Sequence, residues 1–176
     1  MKTFILSIIF IFIGINSHIS IAASEINVTK FSTERHNQRI VGGQEVVPFS
    51  YPFMGTLQYD DNHSCGASLI GPNLVLTASH CVDGAIADGS MTIKFGGHDL
   101  TDASQWQTYT VSKIIMHQEY DYSATNNDIA ILELSTNVEG IEPINLADTA
   151  IKESLATDKS LIVMGWGALE EDGASP

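Results

Sequence analysis

The sequence predicts an all-β fold, a barrel or a sandwich, on three observations. Short runs rich in branched and aromatic residues recur at spacings near ten residues. Clusters of Gly, Pro, Asn and Asp separate them. No stretch holds a helical period of apolar residues, and Ala85 to Ala87 has room for one turn at most. With 176 residues, 44% hydrophobic and 16% charged, the chain is long and apolar enough to bury the core of one ordinary domain.

The amino end has a different character. Lys2 precedes an apolar run from Phe4 to about Ile15, and small residues follow at Ala22 and Ala23. A basic start, an apolar middle and small residues at a cut describe a secretory signal peptide over residues 1–23. A membrane anchor is the rival reading, but Asn16, Ser17 and His18 interrupt the run before the roughly 20 apolar residues a spanning helix needs. Residues 24–39 are polar, mixed in charge and without periodicity, as in a short propeptide. The sequence therefore predicts a secreted protein.

Export gives the two cysteines, Cys65 and Cys81, a meaning: outside the cytosol they form a disulfide, the alternative being two free thiols. Closing a loop of about 15 residues contributes on the order of 3 kcal/mol in the chain-entropy model. The charge excludes other functions. The net value is −13, and beyond Arg39 four lysines face nineteen acidic residues, 4 − 19 = −15. Nucleic acid and anionic membrane surfaces, which demand basic patches, are not expected partners.

The strands follow in order. Tyr51 to Tyr59 is the first, turned by Asp60, Asp61 and Asn62; His63 to Ile70 carries Cys65 and ends in the tight turn Gly71, Pro72, Asn73. Leu74, Val75 and Leu76 open a buried strand that ends in small residues and delivers His80. Further strands are expected at Met91 to Phe95, Trp106 to His117 and Ile129 to Leu134, and another at Leu161 to Gly167. His63 reads as a partly exposed strand residue.

Two residues carry chemistry. Histidine takes up and returns a proton near neutral pH, and His80 sits where a strand ends, beside Cys81. Asp128 opens the apolar strand IAILEL, where a partly buried carboxylate needs a partner. A carboxylate on the imidazole N–H fixes the tautomer whose other nitrogen accepts a proton. From chemistry alone, a turn-capping role for Asp128 stays open. Asp121, Asp148 and Glu170 to Asp172 lack calcium-loop spacing, and no histidines share metal-ligand spacing, so neither metal nor cofactor is expected.

LTASHC (Leu76 to Cys81), RIVGG (Arg39 to Gly43), HSCGASLI (His63 to Ile70), NNDIAILEL (Asn126 to Leu134) and GWG (Gly165 to Gly167) together resemble the trypsin/chymotrypsin-like serine proteases, in the family's order. The usual form has alanine where Ser79 stands, a small-for-small change. The resemblance implies a trypsin-like Greek-key β-barrel, with the first barrel complete and the second only begun, over residues 40–176. It implies that His80 and Asp128 are catalytic, and that cleavage between Arg39 and Ile40 by an activating protease frees an Ile40 ammonium that folds inward. Polypeptides are the implied substrates. The family's GDSGGP segment, which carries the nucleophile, has no counterpart among the 176 residues. No other serine, Ser68 and Ser123 included, sits in a glycine-rich turn fit to present a nucleophile. The expectation is a C-terminally truncated fragment of a secreted serine endopeptidase, inactive by itself; the alternative is a non-catalytic homologue acting as a binding module.

Overall fold

A computed structural model describes residues 42–149, 151, 155 and 160–169. The signal and propeptide assignments and the cleavage residues Arg39 and Ile40 lie outside these described residues.

Six strands form one closed antiparallel barrel: β1 (Met54–Tyr59), β2 (Asn62–Gly71), β3 (Leu74–Thr77), β4 (Met91–Phe95), β5 (Gln107–Met116) and β6 (Ala130–Leu134). The order around the barrel is β1-β2-β3-β6-β5-β4, closed by β1 against β4. Two hairpins run β1 to β3, β4 crosses to the far side of β1, and β6 returns to β3, which is the Greek-key path. Closure leaves no barrel strand with an open edge.

Alternation drives the core. Cys65, Ala67 and Leu69 of β2, Met91, Ile93 and Phe95 of β4, and Ala130, Leu132 and Leu134 of β6 point inward and are buried together. Small residues make room for large ones: a side chain at Gly55 would start 2.5 Å from the Phe95 ring. The β1–β2 turn has both central residues, Asp60 and Asp61, at positive φ (48° and 63°), with Tyr59 opposite Asn62. This mirror-image turn matches the twist of the two strands. Asn62 supports it by donating from Nδ2 to the Asp60 carbonyl at 2.8 Å.

Every predicted barrel strand is present, with ends shifted by at most three residues. The expected strand at Leu161 to Gly167 is not. Residues 161–164 are irregular, 165 and 166 form a bend, and Leu161, Ile162 and Val163 are exposed. A strand exists only where a neighbour completes its hydrogen bonds, and no described strand lies beside this run. The second barrel thus contributes no strand among the described residues. The run is pinned to the first barrel instead: Trp166 donates from Nε1 to the His98 carbonyl at 2.8 Å and packs on Trp106, ring centres 5.6 Å apart. Among the described residues, no helix is long and apolar enough to cross a membrane.

Candidate active site

β3 stops at Thr77 because the chain bends into a single 3-10 turn, Ser79–Cys81, which carries His80 at the barrel rim. Four attachments hold this turn. The Cys65–Cys81 disulfide ties it to β2 across a Cα separation of 6.2 Å. The Tyr59 hydroxyl donates to the Cys81 carbonyl at 3.0 Å. The Ser79 hydroxyl donates to the Ile129 carbonyl at 2.7 Å. The fourth attachment is Asp128.

Asp128 lies between Asn127, whose φ is +54°, and the start of β6. The Ile129 N–H donates to the Asn127 carbonyl at 2.8 Å, a three-residue turn that thrusts the Asp128 side chain outward. Asn127 steadies it by donating from Nδ2 to the Glu119 carbonyl at 2.8 Å. Asparagine tolerates positive φ better than most residues, so NND suits this corner.

The two segments meet as the sequence anticipates. His80 donates its backbone N–H to Asp128 Oδ1 at 2.8 Å, and its Nδ1 lies 2.6 Å from Asp128 Oδ2. Both carboxylate oxygens are thereby committed to one residue. The imidazole remains 39% exposed while the carboxylate is 18% exposed, so the carboxylate is the more sheltered of the two. With Nδ1–H donated to the carboxylate, Nε2 carries the lone pair that accepts a proton. Nε2 lies 3.4 Å from Cys81 Sγ.

Cys65, His80 and Cys81 bring their ligand atoms within 4.8 Å of one another, but both sulfurs are spent in the disulfide and offer no thiolate to a metal. Beside the pair, the Tyr120 phenol is held above its ordinary pKa, by loss of solvent first and then by the charges of Asp128 and Asp83. It stays neutral. Sequence reasoning did not single out Tyr59, Tyr120 or the hydroxyl of Ser79. Ser79 looked like a neutral substitute for alanine, yet its side chain is fully buried and hydrogen-bonded.

His63 is half-buried, as a partly exposed strand residue should be; a β-bulge between Cys65 and His63 sets it opposite Gln58 and breaks its alternation with the inward Cys65. Its Nδ1 lies 2.7 Å from the buried Thr56 hydroxyl, and its ring meets Trp166 edge-on at 5.9 Å. Burial pushes its pKa below the ordinary histidine value. A groove of about 730 Å³ runs between Val46, Phe49, His98, Val163 and Trp166. Neither His80 nor Asp128 lines it.

A closed Greek-key barrel carrying a histidine turn clasped to an aspartate loop defines the chymotrypsin-like class of serine protease domains. Comparison with known proteins agrees. The family model described as Trypsin matches residues 40–176, and the chain belongs to that family. Mouse neutrophil elastase is 34% identical over 139 residues, covering 78% of this chain and 52% of elastase. The chain thus spans about half the length of this curated relative. Among solved structures, the secreted serine protease VesC from Vibrio cholerae superposes with a TM-score of 0.61 at 28% identity, over 65% of this chain and 25% of VesC. Human heparin binding protein superposes with a TM-score of 0.52 at 28% identity, over 61% of this chain and 47% of that one.

Proposed function

We propose that the chain is the amino-terminal part of a secreted serine endopeptidase, made as a zymogen that is activated by cleavage between Arg39 and Ile40. The carrying observation is the pair of hydrogen bonds from His80 to Asp128, at 2.8 and 2.6 Å, in a turn fixed by a disulfide. In this reading His80 is the general base that takes the proton of a serine hydroxyl as it attacks a peptide carbonyl. It then returns that proton to the leaving amine. Asp128 holds the ring in the productive tautomer and stabilises the imidazolium formed in between. The family's serine segment has no counterpart among the 176 residues, so in this reading these residues alone carry no peptidase activity.

Support for secretion comes from the amino-terminal signal pattern, and VesC, one of the structures this chain resembles, is itself described as secreted. The free amino group of Ile40 would have a pKa near 8 and would be charged when buried, which makes a paired carboxylate necessary and cleavage an effective switch. The strong acidity of the chain argues against borrowing the polyanion binding of heparin binding protein.

The test reads the gene past Pro176, expresses the full product, cleaves it after Arg39 and exposes it to a fluorophosphonate probe. A frame that continues into a glycine-rich serine turn, with labelling that falls about 10³-fold or more in His80→Ala and in Asp128→Asn, supports the proposal. Labelling indifferent to both variants overturns the assignment of the pair. Specific labelling of the 176-residue chain itself overturns its inactivity.

A further inference from the structure

We propose that Ser79 is a positioning residue for the His80–Asp128 pair: its buried hydroxyl ties the histidine turn to the main chain beside Asp128, where the β3–β6 ladder ends. The proposal rests on reading that pair as the general-base half of the site, and it goes beyond the family's usual form, which has alanine here.

The register shows the need for it. β6 is flanked by β3 and β5, and its first residue, Ala130, pairs with Thr77 on one side and Met116 on the other. One residue earlier, the Ile129 carbonyl faces β5, since hydrogen bonds along a strand alternate between its two neighbours. On the β5 side the ladder continues in the main chain, since the His117 N–H donates to the Ile129 carbonyl at 3.0 Å. On the β3 side the chain has left the sheet for the 3-10 turn, and its N–H groups bond within the turn: Cys81 to the Ala78 carbonyl at 3.3 Å and Val82 to the Ser79 carbonyl at 3.0 Å.

No main-chain bond of the ladder reaches Ile129 from the histidine turn, because its carbonyl faces His117, and Ile129 stands next to the residue whose carboxylate must meet the imidazole. Ser79 supplies a second donor to that carbonyl from a position with no solvent exposure, reaching it at 2.7 Å. Ser79 and Ile129 adjoin His80 and Asp128 in the chain, so the hydroxyl bond and the imidazole–carboxylate bond are successive rungs between the same two segments. The hydroxyl touches no reacting atom. Its effect is to restrict the distances over which the pair can open.

The experiment uses the 176-residue protein labelled with ¹⁵N-histidine, reading the proton on His80 Nδ1 by NMR at low temperature. In the wild type this proton resonates downfield and exchanges slowly, and Asp128→Asn abolishes that signature. Ser79→Ala, which places the family's usual residue and so folds, raises its exchange rate about three- to tenfold, as loss of one hydrogen bond predicts. Ser79→Thr, which keeps the hydroxyl, restores slow exchange. Val138→Ala weakens the core elsewhere and leaves the rate unchanged.

An exchange rate in Ser79→Ala equal to wild type, or equally raised by Val138→Ala, overturns the proposal. These two comparisons decide the matter even if threonine proves too large for the buried position. A downfield proton missing from the wild type, or insensitive to Asp128→Asn, overturns the reading of the pair itself. A proton that responds to Asp128 and ignores Ser79 removes this inference alone.

Discussion

Leu74–Thr77 and Leu161–Met164 read LVLT and LIVM, near twins in composition, and they meet opposite fates. The first is β3, hydrogen-bonded to β2 on one side and β6 on the other, with three of its four residues buried. The second forms no strand, and its Leu161, Ile162 and Val163 are 49%, 52% and 74% exposed. Branched apolar residues confer the capacity to be a strand; a ladder partner on each side makes one. The same contrast separates the barrel, whose edges are all paired, from the segments around 42–51 and 160–169, which lie on it and leave Val47 and Phe49 in water.

The contrast can be broken by measurement, most forcefully at the buried twin. Leu76→Ala should destabilise the 176-residue protein by about 2–5 kcal/mol, because a buried leucine leaves both transfer energy and a cavity behind. Urea unfolding with an unchanged m-value would show it as a lower midpoint. Removing the staple beneath the site comes next. Replacing Cys65 and Cys81 together by serine should cost about 3 kcal/mol, with the barrel's far-ultraviolet signature retained below the melting point.

A smaller effect sharpens the role of the trailing segment, whose Trp166 helps shelter His63. Burial depresses the His63 pKa in the folded state, so below the ordinary value of 6.5 the unfolded chain binds a proton that the folded chain resists. Stability from this group is therefore complete above about pH 6.5 and declines as pH falls toward the folded value. Melting temperature followed across that window should fall in the wild type and flatten in His63→Gln. The smallest effect belongs to the exposed twin. Ile162→Ala should shift stability by less than about 0.5 kcal/mol, and a loss matching that of Leu76→Ala would end the contrast.

The strands were legible by their branched and aromatic composition, their spacing and the turns that end them, and the resemblance chose a barrel over a sandwich. Cys65, Ala67 and Leu69 alternate inward, and Gly71, Pro72 and Asn73 stop the run. The pairing of His80 with Asp128 was legible through motif order, although 48 residues separate the two. Three features were not. The role of Ser79 depends on where Ile129 lies across the sheet, which no local pattern encodes. The burial of Thr56 and Gln58 on the outer face of β1 breaks the alternation of that strand, since neighbouring segments cover what would otherwise be the solvent side. The failure of Leu161 to Gly167 to form a strand goes with the lack of a strand beside it among the described residues and is invisible in its composition.

From the sequence alone came the class of fold, the two cysteines to be joined, and the histidine and aspartate that meet at the rim. The strands follow from short-range causes, the two-residue period and the chemistry of turn residues; the meeting of His80 and Asp128, 48 residues apart, was implied by the resemblance of their motifs. The tertiary structure decided which apolar runs become strands and which hydroxyl clamps the paired residues. Both depend on what lies opposite a residue in space, and a hydrogen-bond partner fifty positions away leaves no trace in the local pattern.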